Sequence, residues 1–332
     1  MGDVHGGKGF DGSAGAPGGM QAGTALDRSG TVRRAARMRL ASGRLGRLGA
    51  LEVRLARGEE ITAAQRLRHR VFREPEAGGQ ARSSLSGPPA NPAAGAASSR
   101  DAALPCARDE ERACGPLDHD ALDAFADHLV VVDSTSSAGP QLIACCRLLR
   151  DEAAGLAGGF AAASAFAVDG LLSRHPELGF VEVGRACVAP SHRRTRAAEL
   201  LWHGIWTYVL AHGAGVLFGT ASLPGTDPAR LALPLAYLRH YARAGDPWSA
   251  AARPERRVSP PPIRRDDFDR RAGFASLPPL LKGYLRLGAV VGEGAVADPE
   301  FGTTDVLVVL PVAAIAPRYL AYYGIDAGRR AA

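Results

Sequence analysis

One continuous segment, residues 180–213, constrains the fold more than any other part of the chain. It begins with FVEVGRACV, whose apolar residues are typical of a buried strand. Ser191 can cap a following helix, and TRAAELLWHGIWTYVLA is apolar on nearly every side before Gly213 ends it. A helix without a polar face must be covered all round, so we expect it to pack against a sheet that contains the preceding strand.

Apolar patterns elsewhere add strands and helices in an order that favours one mixed sheet. LEVRLA alternates as a strand does, and apolar residues at helical spacing predict an amphipathic helix over residues 58–72. Further strand-like runs are DHLVVVDS, QLIACCRLLR, GVLFGTAS and TTDVLVVLPV. We therefore expect a single α/β (α+β) domain over residues 50–325, with a central mixed β-sheet flanked by helices.

Three segments are too poor in large apolar residues to join that core. Residues 1–49 are rich in Gly, Ala and Arg and predict a disordered basic arm, with an anchor for anionic lipid as the alternative. Residues 76–117 contain no Val, Ile, Met or aromatic residue and predict a disordered insertion. Residues 245–273 predict a second polar break within the domain.

Charge and cysteine usage narrow the setting of the protein. A net charge of +6 suits an acidic carrier protein, an anionic membrane surface or nucleic acid. Five cysteines without a CxxC pair favour neither a disulfide framework nor a zinc site, and they indicate a reducing cytoplasm. No apolar run reaches the roughly 18 residues that cross a bilayer, and the N-terminus lacks an apolar signal core. We expect a soluble or peripheral protein.

Two charged residues, Glu182 and Arg185, stand in the apolar strand, where an unpaired charge is costly. Residues three apart on a regular strand face opposite ways, so a bulge at Gly184 would be needed to bring both side chains to one cavity. Glu182 could then take a proton from an amine, and Arg185 could hold a carboxylate or orient Glu182. The alternative is a structural ion pair.

Two further charged clusters flank this strand. Arg193, Arg194 and Arg196 stand where the helix begins, and cations there are reasonable if a phosphate docks at the helix N-terminus. The alternative is a solvated basic turn. Before the strand DHLVVVDS, the segment LDHDALDAFADH carries four aspartates that suit a cationic substrate or a metal, with a solvated acidic loop as the alternative.

Taken in order, VEVGRACVAPSHRR, the apolar helix and GVLFG resemble the core of the GNAT acyltransferase fold. More specifically, the chain resembles the acyl-carrier-protein-dependent L-ornithine Nα-acyltransferases, with matching pieces over residues 51–324 apart from the two polar segments. The resemblance implies transfer of a 3-hydroxyacyl group to the α-amine of L-ornithine, forming lyso-ornithine lipid. It implies acyl carrier protein with its 4′-phosphopantetheine arm as donor, no bound cofactor, no metal and no nucleic acid.

A weaker resemblance links the chain to the acyl-homoserine-lactone synthases, which also acylate an amine from acyl carrier protein. They share a helix with an arginine and a phenylalanine, an acidic element, an arginine on a strand and a Glu-x-x-Arg strand. In this sequence these elements correspond to Arg68, Phe72, Asp120, Asp123, Arg147, Glu182 and Arg185. Such a synthase acting on another amine, or a non-catalytic membrane-surface protein, is the alternative interpretation.

Both resemblances imply that an amine attacks a thioester, and this chemistry gives the charged residues roles. Glu182 would serve as the base, because the attacking amine must be neutral. Arg185 or Arg147 would bind the ornithine carboxylate. The residues expected to hold the distal ammonium are Asp120, Asp123 or Asp127.

The turn RRTRAA departs from the GNAT phosphate-binding pattern, because Arg196 occupies a glycine position. A backbone cradle for the pyrophosphate of coenzyme A is therefore in doubt. The three arginines of this turn would instead bind the single phosphodiester of a carrier protein, which favours acyl carrier protein as the donor.

Overall fold

The computed structural model describes residues 33–74, 116–137 and 139–319, and a ten-stranded sheet organises this part of the chain. The strands are β1 (Arg44–Leu48), β2 (Leu51–Leu55), β3 (Asp127–Asp133), β4 (Gln141–Arg150), β5 (Phe180–Val188), β6 (Val216–Pro224), β7 (Arg257–Val258), β8 (Val290–Val291), β9 (Ala295–Asp298) and β10 (Thr303–Pro311). Their order is β1-β2-β3-β4-β5-β6-β10-β9-β7, and β8 pairs with β10. Strands β5 and β6 are parallel and the other pairs are antiparallel, so the predicted mixed sheet is present.

Helices cover both faces of the sheet. They are α1 (Glu60–Arg73), α2 (Asp151–Ala157), α3 (Val168–Ser173), α4 (Ala197–His212), α5 (Ala232–Tyr241), α6 (Arg270–Ser276) and α7 (Pro279–Leu287). Nearly every residue of α4 is buried, as its apolar sequence predicts, and the helix lies across β1 to β4. Gly204 permits this approach, because a Cβ there would lie 2.5 Å from a methyl carbon of Val53.

The opposite face of the sheet carries two smaller clusters. Helix α1 packs Ala64, Leu67 and Val71 against buried residues of β3, β4 and β5. Beside it, α2, α3 and a short 3₁₀ helix at Ala161–Ser164 cover Phe180 and Phe218. Both faces of β5 are thus covered along its first half.

Strands β5 and β6 separate after three paired residues. Phe180–Glu182 pair with Val216–Phe218, after which β5 continues beside β4 and β6 continues beside β10. The two strands still touch at Gly219, where a Cβ would lie 2.4 Å from the Val183 carbonyl oxygen. Beyond this contact Gly184 has open space around it. We call this opening between β5 and β6 the fork.

A β-bulge distorts β5 at the fork. Cys145 pairs with Cys187 and Arg147 with Gly184, so Arg185 and Ala186 together oppose the single residue between the two β4 partners. The bulge was predicted at Gly184, and the residue that takes the left-handed conformation is instead Arg185, with a φ of 51°. The extra residue of a bulge absorbs the local distortion, and here that residue follows the glycine.

The predicted limits of the folded part need correction. Residues 33–41 are helical and Arg44–Leu48 form β1, with Ala36 and Leu45 fully buried, so the prediction of a disordered arm is wrong for this stretch. Its buried apolar side chains and the backbone pairing of β1 with β2 join it to the fold despite its low average hydrophobicity. Residues 1–32 of the predicted arm and 76–115 of the predicted insertion lie outside the described residues.

The predicted polar break at 245–273 is likewise structured where it meets the sheet. It contributes β7, and the Ala252 N–H donates to the Glu293 carbonyl at 2.7 Å while the Glu293 N–H donates to the Ala250 carbonyl at 2.9 Å. Both alanines are buried. Backbone pairing and small buried side chains join this segment to the fold. An average of hydrophobicity along the sequence does not detect backbone pairing and gives small side chains little weight.

Candidate active site

Arginines and aspartates that are distant in sequence form one buried network beside the fork. Arg68, on α1, is 1% exposed and donates through Nη1 to Asp123 Oδ1 at 3.1 Å and through Nε to the Asp118 carbonyl at 3.1 Å. Arg147, on β4, donates to both Asp120 and Asp123 through Nη1. A short 3₁₀ helix, Ala121–Ala124, begins at Asp120 and presents Asp123 to both arginines.

Asp123 is the centre of this network. Burial alone would raise its pKa, but hydrogen bonds and charge from Arg68 and a hydrogen bond from Arg147 hold the pKa well below its usual range. Gln65 adds a third side-chain donor, with its Nε2 at 3.0 Å from Asp123 Oδ2. An aspartate with three such partners is a fixed anion, and its carboxylate oxygens are occupied by hydrogen bonds within the protein.

Arg185 joins the same network from the bulge of β5. Its Nε lies 3.2 Å from Asp118 Oδ1 and its Nη2 lies 3.4 Å from Asp120 Oδ2. Its guanidinium also lies 5.2 Å from the centroid of the Phe301 ring, and Phe72 packs edge-on against that ring. The side chain of Arg185 is 27% exposed and that of Asp120 34%, whereas Asp118 is almost fully buried.

Glu182 occupies the base of the fork on the same face of the sheet. Its carboxylate accepts the N–H of Ala161 at 2.8 Å and the N–H of Ala162 at 2.7 Å, at the start of the 3₁₀ helix Ala161–Ser164. Glu182 is 5% exposed, and burial raises its pKa despite these two hydrogen bonds and the charge of Arg147. A carboxylate held in place with a raised pKa is a suitable proton acceptor.

The bulge brings Glu182 and Arg185 to the fork, but it does not make them a pair. The predicted role of Arg185 in orienting Glu182 is wrong, because Arg185 contacts Asp118 and Asp120 while backbone N–H groups of another segment hold Glu182. The structural ion pair between the two residues, which was the alternative, is also absent from the ion pairs of the described residues.

Two small apolar cavities lie on the α4 side of the fork. One, of about 20 Å³, is lined by Val183, Trp202, Gly219, Thr220 and Tyr284 among others. The second, also about 20 Å³, lies against Ile205, Trp206, Leu287, Ile315 and Tyr319. Trp202, Leu217 and Leu310 line both, so the two cavities follow one another between α4, α7 and the sheet.

Comparison with known proteins identifies the family of this chain. The Acetyltransferase (GNAT) domain matches residues 106–203. The chain is 44% identical over 299 residues to the L-ornithine N(alpha)-acyltransferase of Rhizobium meliloti (strain 1021), an alignment that covers 87% of this chain and 89% of that protein. The chain belongs to the L-ornithine N(alpha)-acyltransferase family.

Further relatives of the same name agree with this assignment. The L-ornithine N(alpha)-acyltransferase of Agrobacterium fabrum (strain C58 / ATCC 33970) is 42% identical over 86% of this chain and 89% of its own length. Among solved structures, FeeM, an N-acyl amino acid synthase from uncultured soil microbes, aligns with 79% of this chain and 91% of its own at 15% identity and a TM-score of 0.38. The predicted family, the GNAT fold and the enzyme class, an acyltransferase, are confirmed.

In this family member, one of the predicted acceptor-binding residues lies on the wrong face of the sheet. Asp127 accepts the hydroxyl of Tyr208, on α4, and lies 3.9 Å from Arg150 Nε. Because side chains alternate along a strand, Asp127 at the start of β3 points to the α4 face, whereas Arg147 and Glu182 point to the α1 face. The prediction that Asp127 holds the distal ammonium is therefore wrong.

The start of α4 also differs from its prediction. The helix begins at Ala197, after a short 3₁₀ helix at Pro190–His192, and Ser191 bonds the His192 ring rather than capping α4. Arg196 pairs with Glu199 through hydrogen bonds of 2.8 and 2.6 Å. Arg193 is partly buried, while Arg194 and Arg196 are exposed. Trp202 follows the first residue of α4 by five positions, so it lies roughly 8 Å along the helix axis from the end of this basic turn.

Sequence patterns missed three contributors to the site. Asp118 was noted only as part of an acidic cluster, yet it contacts Arg68 and Arg185. The N–H groups of Ala161 and Ala162 leave no signature in the sequence, because any residue could supply them. Phe301 comes from the loop between β9 and β10, and only the sheet order brings it to the network.

Within residues 33–74, 116–137 and 139–319, no three His, Cys, Asp or Glu side chains are grouped so that they could bind a metal ion. Within the same ranges, no helix has both the length and the apolar character required to cross a bilayer.

Proposed function

We propose that this acyltransferase transfers a 3-hydroxyacyl group from acyl carrier protein to the α-amine of L-ornithine, forming lyso-ornithine lipid. The observation that carries the proposal is the buried Glu182 carboxylate, held by two backbone N–H groups at the fork beside an arginine–aspartate network. The names of the similar proteins support ornithine as the acceptor. They also favour this function over acyl-homoserine-lactone synthesis.

The reaction exchanges one bond for another at the thioester carbon. The neutral α-amine attacks the carbonyl, a C–N bond forms, and the C–S bond to phosphopantetheine breaks. Glu182 accepts the proton that the amine loses, directly or through one water. Protonated Glu182 then returns that proton by the same means to the departing thiolate, which leaves as a thiol. The raised pKa of Glu182 strengthens it as a base relative to an ordinary carboxylate.

The bulge supplies a means of stabilising the charge that develops on the carbonyl oxygen. A bulge leaves its extra residue out of the hydrogen-bond ladder, and here that residue lies at the fork between Gly184 and Cys187. A backbone N–H of Arg185 or Ala186 would therefore be available to the oxyanion. Fixed donors of this kind act only on the charge of the transition state, which is where they lower the barrier.

The charges of the network suit an acceptor that carries two amines and one carboxylate. Arg68, Arg147 and Arg185 face Asp118, Asp120, Asp123 and Glu182, so one negative charge is in surplus. Nearby Arg73 and Glu300 pair with each other and cancel. An acceptor with a net positive charge would balance the site.

Exposure divides these residues between substrate binding and positioning. Arg185 and Asp120 are partly exposed, so we assign Arg185 to the ornithine carboxylate and Asp120 to the distal ammonium. Arg68 and Arg147 are buried and both bind the buried Asp123, so these three residues hold Asp120 and the 3₁₀ helix that follows it in position. Phe72 packs against Phe301, and the ring of Phe301 lies beside the Arg185 guanidinium, so we assign both rings to the acceptor site.

The donor side of the proposal rests on the basic turn before α4. Arg194 and Arg196 are exposed in the turn between β5 and α4, with Arg193 partly buried next to them. These arginines would bind the phosphodiester of phosphopantetheine and the acidic surface of acyl carrier protein. The location we propose is cytoplasmic, with peripheral contact to an anionic membrane where the product is released.

One reaction tests donor and acceptor together. Purified protein is incubated with 3-hydroxyacyl carrier protein and a panel of amines, and the products are identified by mass spectrometry. We expect N-acylated ornithine. Acylation of S-adenosylmethionine without acylation of ornithine would overturn the acceptor, and equal transfer from acyl-coenzyme A would overturn the requirement for a carrier protein.

A further inference from the structure

A buried hydrogen-bond donor stands in the apolar cavity at the fork. Trp202 is 5% exposed, and its indole N–H is buried with no acceptor among the residues that the structure describes. A buried donor without a partner loses its bond to water and gains nothing in return, so native proteins seldom leave one unused. Such an atom beside the apolar cavities at the fork requires an explanation.

The surroundings of Trp202 offer apolar space for an acyl chain and few polar atoms. Val183 and Gly219 form the mouth of the cavity at the fork, and the side chains of Leu217, Val308 and Leu310 line its apolar wall. Tyr284 meets the Trp202 ring edge-on, with ring centroids 5.2 Å apart. Trp202 also borders the second cavity, so it stands between the fork and the space beyond.

We propose that the indole N–H of Trp202 binds the 3-hydroxyl group of the acyl donor and thereby selects 3-hydroxyacyl chains over unsubstituted ones. The inference rests on the proposed function, because it assigns a residue to one group of the proposed donor. With the thioester carbonyl at the bulge of β5, the third carbon of the chain lies two bonds further, at the cavity that Val183 and Trp202 share.

The size and polarity of the fork cavity support this assignment. Its volume of about 20 Å³ would hold one water-sized group, which is the size of a hydroxyl. A hydroxyl oxygen accepts the indole N–H, and an unsubstituted chain leaves that donor without a partner. Sites with a buried donor reject analogues that lack the matching group for this reason. The rest of the chain then continues past the indole toward Trp206 and Leu287.

The test compares donors with and without the 3-hydroxyl group. Trp202→Phe keeps an aromatic ring and removes the N–H. For the wild type we expect a higher kcat/KM with the 3-hydroxyacyl carrier protein than with the unsubstituted one of equal length. Trp202→Phe should lower that ratio about 5- to 10-fold, mostly by slowing the 3-hydroxyacyl donor, which is the effect of one neutral hydrogen bond.

Two matched variants guard the conclusion. Trp206→Phe makes the same substitution at a tryptophan that lines only the second cavity, and it should leave the donor ratio unchanged. Tyr284→Phe removes the neighbouring hydroxyl. Thermal unfolding of each variant checks that the fold is intact, and the ratio of two donors on one protein is insensitive to partial loss of active enzyme.

The outcomes separate this inference from the proposed function. An unchanged donor ratio in Trp202→Phe, or loss of the preference in Tyr284→Phe alone, overturns the role of Trp202 while acyl transfer to ornithine stands. A wild type that uses both donors equally overturns it as well. A wild type that acylates ornithine with neither donor overturns the proposed function, and this inference fails with it.

Discussion

The two faces of the sheet meet at the fork but are built on opposite principles. On the α1 face, Arg68, Asp123 and Arg147 are buried together, and each charge has a partner of opposite sign. On the α4 face, apolar side chains surround two small cavities, and the buried donor of Trp202 is without an acceptor in the described structure. The comparison teaches that one face holds a fixed framework of paired charges, as our proposal requires for a charged acceptor, and the other offers apolar space with few polar atoms, as it requires for an acyl chain.

The strongest test of the polar face is Glu182→Gln. Loss of the general base should lower kcat by about 10²- to 10⁴-fold with the fold retained. The matched control is Glu177→Gln, at an exposed glutamate whose side chain is 66% accessible and which should keep full activity. Full turnover of the Glu182 variant in a folded protein would end its assignment as the base.

The pH profile of the wild type gives the same assignment a second measurement. Because burial raises the pKa of Glu182, the carboxylate becomes a base only above a pH higher than the ordinary glutamate value. We expect kcat/KM to rise with pH through that raised pKa. The Glu182→Gln variant should lack this limb of the profile.

Breaking the centre of the network should destabilise the protein most. Asp123→Asn leaves Arg68 and Arg147 without their shared anion, and loss of one partner in a buried pair costs about 3–5 kcal/mol of unfolding free energy. Urea denaturation measures this. Glu199→Gln, which removes the partner of the exposed Arg196, should cost less than about 1 kcal/mol. Equal losses of unfolding free energy in the two variants would contradict the conclusion that the buried network contributes more to stability than a surface ion pair.

The same carboxylate makes stability depend on pH. The pKa of Asp123 is lower in the folded than in the unfolded protein, so its contribution is fully present above the unfolded pKa. It is lost as the pH falls below that value toward the folded pKa. Urea midpoints measured from neutral to acidic pH should therefore fall for the wild type, and less steeply for Asp123→Asn.

Substitution of Arg185, at the proposed acceptor site, should have a smaller effect on the reaction than substitution of Glu182. Arg185→Ala removes the proposed partner of the ornithine carboxylate, so KM for ornithine should rise about 10- to 100-fold, as loss of a charged hydrogen bond would predict. KM for the acyl donor should stay the same, which steady-state kinetics with each substrate varied will measure. Arg185→Lys should recover part of the loss, and an unchanged KM would refute the assignment.

The close packing of the apolar face is tested by a substitution that adds a single methyl group to α4. Gly204→Ala places a Cβ 2.5 Å from Val53, so we expect a loss of about 1–3 kcal/mol of unfolding free energy. Gly155→Ala is the matched control, because it adds the same methyl group to α2, where nothing lies within 4 Å. That variant should be neutral or slightly stabilised. A stable Gly204→Ala would mean that α4 adjusts more easily than its close packing implies.

The parts of this architecture that could be predicted are those written in local patterns. The strand β5, the apolar helix α4 and the acidic cluster were all evident from residue order. The face on which Asp127 lies required the register of β3, and the partners of Glu182 are backbone atoms 20 and 21 residues away. Strand β1 escaped prediction because its sequence, RLGRL, does not alternate apolar and polar residues, and a bulge between Arg44 and Gly46 interrupts its pairing. Long-range pairing, which no local pattern encodes, decided each of these.

At position 185, the residue that our proposal requires for substrate binding differs from the residue that would make the protein most stable. Its φ of 51° is the conformation for which glycine is the least strained residue, and a side chain there costs stability. Arg185→Gly should therefore relax the backbone while removing the guanidinium from the acceptor pocket. A selection for thermal stability alone would favour that replacement and yield a more durable protein that, on our proposal, binds ornithine weakly, so engineering campaigns on this scaffold should hold position 185 fixed.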